Sequence, residues 1–141
     1  MTIGPPASES DATRRNNEAI ADRVTVIGER ALLLREIPVQ SPASVNIMFE
    51  RLETLTRDWD RFSYVVDLTE AKRPGPETRA ALKARVLHVR PRIAHVAIVV
   101  GNNLLMRAMA RLFAHGMGLV SVSIHSTRAE AIEEVAGGMG R

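Results

Sequence analysis

FSYVVDLTEAKRPGP, residues 62–76, is the stretch whose reading decides the fold. Tyr64, Val65, Val66 and Leu68 make an almost unbroken apolar run, interrupted only by Asp67. A run of this kind between turn-formers is the pattern of a strand covered on both faces, as in the middle of a parallel sheet. A charged loop, residues 69–73, follows and closes on Pro74-Gly75-Pro76. Pro76 suits the first turn of a helix, where its missing N–H is not needed and its ring presets φ. The stretch therefore reads as strand, loop and helix start, at the sheet edge where open α/β folds place their ligands.

On the N-terminal side, residues 1–22 are polar and contain Gly4, Pro5 and Pro6. They are expected to form a disordered tail, because they have little to bury against the entropy of ordering. Two apolar runs, residues 24–27 and 31–37, flank the short link Gly28-Glu29-Arg30 and predict a β-hairpin. Ser41 or Ser44 then caps a helix with Val45, Met48, Phe49, Leu52, Leu55 and Trp59 on one stripe and Glu50 and Glu53 facing outward.

Beyond the central strand, a helix is predicted over residues 76–88, stopped by Arg90-Pro91-Arg92. Residues 93–100 read as a second buried strand. Asn102 or Asn103 caps the next helix, with Leu105, Ala108, Met109, Leu112 and Phe113 expected inward. Residues 119–124 alternate and predict an edge strand. Ser126 or Thr127 caps a last helix that points Ile132, Val135 and Ala136 inward, and residues 138–141 are expected to fray. The order is β-β-α-β-α-β-α-β-α: one α/β domain, residues 23–137, with a mixed, mostly parallel sheet and an N-terminal hairpin.

At 141 residues, with 45% hydrophobic and 25% charged residues, the chain has the composition of a globular domain able to bury a core. Cysteine is absent, which excludes disulfide frameworks, thiolate metal sites and cysteine nucleophiles. No apolar run approaches a membrane span, and no basic-then-apolar leader pattern is present, so the expectation is a cytoplasmic protein. The net charge of +3 is too small for a dedicated nucleic-acid binder.

In layout, with VVDL leading into a loop and helix, the buried VAIVVG strand and the final STRAEAIEEV helix, the chain resembles the STAS domain. It is most similar to the stand-alone SpoIIAA-like branch, related to bacterial anti-sigma-factor antagonists. The resemblance implies a non-enzymatic interaction module in bacterial signalling. In that family a switch Ser or Thr opens the helix after the central strand. Here Gly75, Pro76 and Glu77 fill those positions, and Thr78 is the nearest hydroxyl. The usual phospho-switch is therefore not expected.

No catalytic or metal motif is present. His88, His95, His115 and His125 fall on different predicted elements, without the i, i+4 spacing that places two ligands on one helix face. His95 reads as a hydrogen-bonded core histidine. There is no nucleophile elbow, Walker loop or dinucleotide fingerprint. Asp67 reads as an acceptor for the loop amides beyond it, with Asn102 and Asn103 at the neighbouring strand end. No enzyme activity, cofactor or metal is expected.

The charge pattern is more informative. Residues 72–92 hold seven basic side chains (Lys72, Arg73, Arg79, Lys83, Arg85, Arg90 and Arg92) against one acid, Glu77, while the rest of the chain is net acidic. On a helical wheel Arg79, Lys83 and Arg90 fall within about 40° of one another. That stripe, with Lys72 and Arg73, predicts a docking surface for an acidic protein partner. Aromatic residues are absent from the segment, so base stacking on nucleic acid is poorly served. A small-molecule or lipid-binding domain of related fold is the alternative, and the sequence leaves self-association open.

Overall fold

A computed structural model describes residues 7–119 and 121–137. Its elements are α1 (Ala7–Ala21), β1 (Val24–Gly28), β2 (Ala31–Arg35), α2 (Pro42–Leu55), β3 (Phe62–Asp67) and α3 (Pro76–Val89), followed by a 3₁₀ turn (Arg90–Arg92). β4 (Ile93–Val99), α4 (Leu104–Gly116), β5 (Val122–His125) and α5 (Arg128–Ile132) complete the order, and α5 runs on into a π-helical turn (Glu133–Gly137). The strands form one sheet in the order β1-β2-β3-β4-β5. β1 pairs with β2 antiparallel and the other pairings are parallel, with Val65 opposite Leu33 on one side and Ala97 on the other. The protein is thus mixed α/β, with β3 and β4 inside and β5 at an edge.

Because successive parallel strands step in one direction, right-handed crossovers place α2, α3 and α4 on the same face of the sheet. There Leu32, Leu34, Tyr64, Val96 and Ile98 meet Met48, Phe49 and Leu52 of α2, Val86 and Val89 of α3, and Ala110 of α4. The pleat sends the alternate residues, Ala31, Leu33, Val65, Ala97 and Val99, to the opposite face. That face is covered by Ala131 and Val135. Gly28 permits a close approach on this side: a Cβ there would stand 3.2 Å from Ala136 Cβ.

Three local expectations change. Residues 7–21 are helical rather than a disordered tail. Asp11 pairs with Arg14 within this helix, and Ile20 packs on the core. The expectation for residues 138–141 lies outside the described residues. α2 begins with Ser41 and Ser44 in a capping box but ends before Trp59, which packs on the core from the following loop. Arg92 donates to the carbonyls of Thr56 and Trp59 and so closes the C-terminal end of α2.

α4 is also turned from the expected orientation. Of the five residues expected inward, Met109 and Phe113 are so placed, but Leu105, Ala108 and Leu112 are exposed, and Met106, Ala110 and Ala114 face inward instead. Arg107, Arg111 and His115 share one side of α4, so local periodicity points the opposite side, with Leu105, Met109 and Leu112, inward. The helix instead buries its flank at Ala110 and Ala114, whose small side chains let it sit close to the sheet.

Candidate functional site

The cavity of interest, about 340 Å³, lies between α3, α4 and the sheet. Its floor is Leu34, Tyr64, Val66, Val96 and Ile98; its walls include Leu82 and Val86 from α3 and Met106, Met109 and Phe113 from α4. The volume is at the small end of the about 300–1,000 Å³ usual for small-molecule sites. At the carboxyl ends of β2 and β3 the lining becomes polar, with Glu36, Gln40, Lys72, Arg73 and Arg79. The amide of Lys72 donates to the Pro38 carbonyl, which holds the loop after β3 against the chain leaving β2. A second hollow, about 500 Å³, between α1 and the start of α2 is larger but of mixed polarity, with Arg23 the only charged lining residue among the described residues.

Glu36 is the one acidic side chain among the described residues that line this cavity. It continues the alternation of Leu32 and Leu34, and its amide donates to the Asp67 carbonyl, so its side chain falls on the helix-covered face. It is 5% exposed. Burial pushes its pKa up to about 7, although the Ile37 amide and the charge of Arg23 favour the carboxylate. Near neutrality its carboxyl group therefore both donates and accepts. Gln40 Oε1 is buried and has no hydrogen-bond partner among the described residues. Burial likewise raises the Tyr64 phenol above its usual range and keeps it neutral.

Lys72, Arg73 and Arg79 are exposed at the cavity mouth, and Lys83 is exposed further along α3. Arg90 does not join them: it belongs to the 3₁₀ turn and donates to the Met117 carbonyl 3.1 Å away. A helical wheel carried past the end of α3 placed it on the stripe. Arg85 faces α2, where it stands 3.1 Å from Asn46 Oδ1 and 3.6 Å from Glu53. Glu53 is therefore half-buried toward α3, whereas Glu50 is exposed on the outer face as expected and only approaches Arg85, at 3.8 Å. At the expected switch position Glu77 is exposed and Thr78 is buried.

Asp67, 4% exposed, accepts from the amide and hydroxyl of Thr69 at 2.9 and 2.6 Å and from Arg128 Nε at 2.7 Å. Burial alone would raise its pKa, but these donors together hold it below the usual carboxylate range. The residue thus ties the loop after β3 to the first turn of α5. Asn103 caps α4 by accepting from the Met106 amide, while Asn102 is exposed in the preceding turn. Neither asparagine lines the cavity.

Glu36 and Gln40 were not singled out from the sequence, although period-two alternation from Leu32 is a signal for Glu36. Among the described residues, no group of three or more histidine and acidic side chains is arranged to hold a metal ion. None of the described helices is long and apolar enough to cross a membrane. No protein-family model matches the chain, and no curated protein matches it significantly.

Proposed function

We propose that this domain binds a small amphipathic anion, with its apolar body in the cavity between α3, α4 and the sheet. The observation that carries this reading is the continuity of an apolar cavity with a basic mouth formed by Lys72, Arg73 and Arg79. An acid group at the mouth would meet these cations, and a hydroxyl or amine beside it would meet Glu36 and Gln40 Oε1. Such a site needs no catalytic group, in keeping with a STAS-like binding module.

Denaturing extraction of protein purified from its native host, followed by mass spectrometry, would reveal a co-purifying amphipath. Decanoate serves as a defined probe. Replacing Arg73 and Arg79 together by Glu should weaken decanoate binding at least tenfold, about 1.4 kcal/mol. Absence of both extracted ligand and decanoate binding, or equal binding by the charge-reversed variant, would reject the reading.

A second reading is supported by the exposure of both Arg79 and Lys83 on α3. We propose that this surface docks an acidic protein in bacterial signalling, without phosphorylation of the buried Thr78. Attraction of this kind accelerates association and weakens with salt. A stoichiometric partner captured by wild type but lost on Arg79→Glu with Lys83→Glu would favour docking; equal capture by both proteins would count against it.

A further inference from the structure

On the sheet face opposite the cavity, β4 and β5 bring together side chains that lie far apart in the sequence. Ser121 Oγ stands 2.6 Å from His95 Nδ1, and His95 Nε2 stands 3.0 Å from Glu134 Oε1. His125 Nε2 is 2.6 Å from Glu134 Oε2, while Ser123 Oγ lies 2.9 and 2.8 Å from the Nε2 atoms of His95 and His125. Glu130 approaches His125 Nδ1 at 4.0 Å. Glu134 belongs to the π-helical turn, a helix form often found at functional sites.

The chemistry of the acceptors assigns the proton. An ionised carboxylate only accepts, so His95 Nε2 carries the hydrogen that faces Glu134. In the neutral ring Nδ1 is then an acceptor, and its partner is the Ser121 hydroxyl. Ser123 is half-buried between the two rings, whereas Ser121 is exposed. The result is hydroxyl, base and orienting acid in sequence, with the imidazole turned end for end relative to the usual serine hydrolase arrangement.

We infer that Ser121 is an activated nucleophile that takes the acyl group of small carboxylic esters. Its Oγ bonds to the ester carbonyl carbon as its proton passes to His95 Nδ1. Collapse of the adduct breaks the bond to the alcohol oxygen, and His95 returns the proton to that oxygen. Water then attacks the acyl-serine by the same route, releasing a carboxylic acid and restoring the hydroxyl. His95 is the base, and Glu134 is a positioning residue that fixes its tautomer and stabilises the imidazolium. This activity is independent of the ligand cavity, which lies across the sheet.

The test is acylation of the full chain by p-nitrophenyl acetate, followed by release of p-nitrophenolate and by peptide mapping of the acetyl group. The expected result is acetyl on Ser121, absent in Ser121→Ala and unchanged in Ser126→Ala. His95→Asn should slow acylation by about 10²–10⁴-fold, the usual contribution of a general base. Glu134→Gln should slow it at least tenfold and move the pH–rate profile to lower pH, because a charge that stabilises the imidazolium has gone. His125 and Glu130 remain facing the cluster in that variant. Circular dichroism checks that each variant folds, and Ser121→Ala removes only an exposed hydroxyl. Acylation of wild type no faster than of Ser121→Ala, or acetyl mapped elsewhere, would overturn the inference and leave the cluster as a clamp holding the π-turn to the sheet.

Discussion

Asp67 stays ionised in a nearly closed environment because Thr69 and Arg128 converge on it. Its folded pKa is lowered, so its stabilising contribution is present above the unfolded value of about 3.9 and is lost as pH falls through the folded value. Arg128→Ala should cost about 1–3 kcal/mol at neutral pH and start the acid transition at higher pH, as read by urea melts across a pH series. An unchanged acid limb would show that the Thr69 donors suffice. Glu36 has the opposite sign. Its folded pKa, about 7, exceeds the unfolded value, so its own contribution to stability is greatest below about pH 4.3, falls as pH rises and levels off above 7. The difference is on the order of 3 kcal/mol. Glu36→Gln should abolish this slope, and a slope that persists in thermal melts would place the titration elsewhere.

At the scale of elements, α2 and α3 are joined by charge as well as by packing. Arg85 lies 3.8 Å from Glu50 and 3.6 Å from Glu53, and His88 stands 3.3 Å from Glu53. Reversing Glu50 and Glu53 to Lys should lower stability by about 0.5–1 kcal/mol, because these pairs are partly exposed. Adding Arg85→Glu to that background should restore part of the loss in a double-mutant cycle, and no restoration would mean the pairs are uncoupled. The rotation of α4 makes a sharper contrast. Leu105 and Leu112 are 68% and 73% exposed, whereas Ala110 is 6% exposed against the core. Replacing either leucine by Ser should change stability by no more than about 0.5 kcal/mol. Ala114→Leu, at a position that is 4% exposed and does not line the cavity, should cost about 1–3 kcal/mol by overpacking. The reverse ranking in chemical denaturation would show that the other face of α4 is buried.

Across the whole molecule, the sheet order sets a gradient of protection. β3 lies between two parallel neighbours and is covered on both faces, whereas β1 and β5 each have one strand neighbour. Amide hydrogen exchange should be slowest in β3 and β4 and faster in β5, since opening an edge strand exposes less surface. Protection of residues 122–125 equal to that of residues 63–67 would contradict this arrangement.

The apolar runs of β3 and β4, the hairpin link and the caps at Ser41, Asn103 and Thr127 determined the order of elements from β1 onward and the inner strands, but not α1. Those signals are local: burial on both faces demands an unbroken apolar run, and a cap demands a short polar side chain. Tertiary structure alone decided what the elements build between them. The cavity takes its walls from α3 and α4 and its polar end from residues 36–40 and 71–79, which no local pattern relates. The face that α4 buries is set by packing against its own periodicity, because the small Ala110 and Ala114 allow a close approach that the Leu105 and Leu112 side does not. His95, Ser121 and Ser123 meet because β4 and β5 pair in one register, and Glu134 joins them because the last helix crosses that face. Sequence spacing carries no record of such neighbours, since the distance between them is closed by strand pairing and packing rather than by the chain.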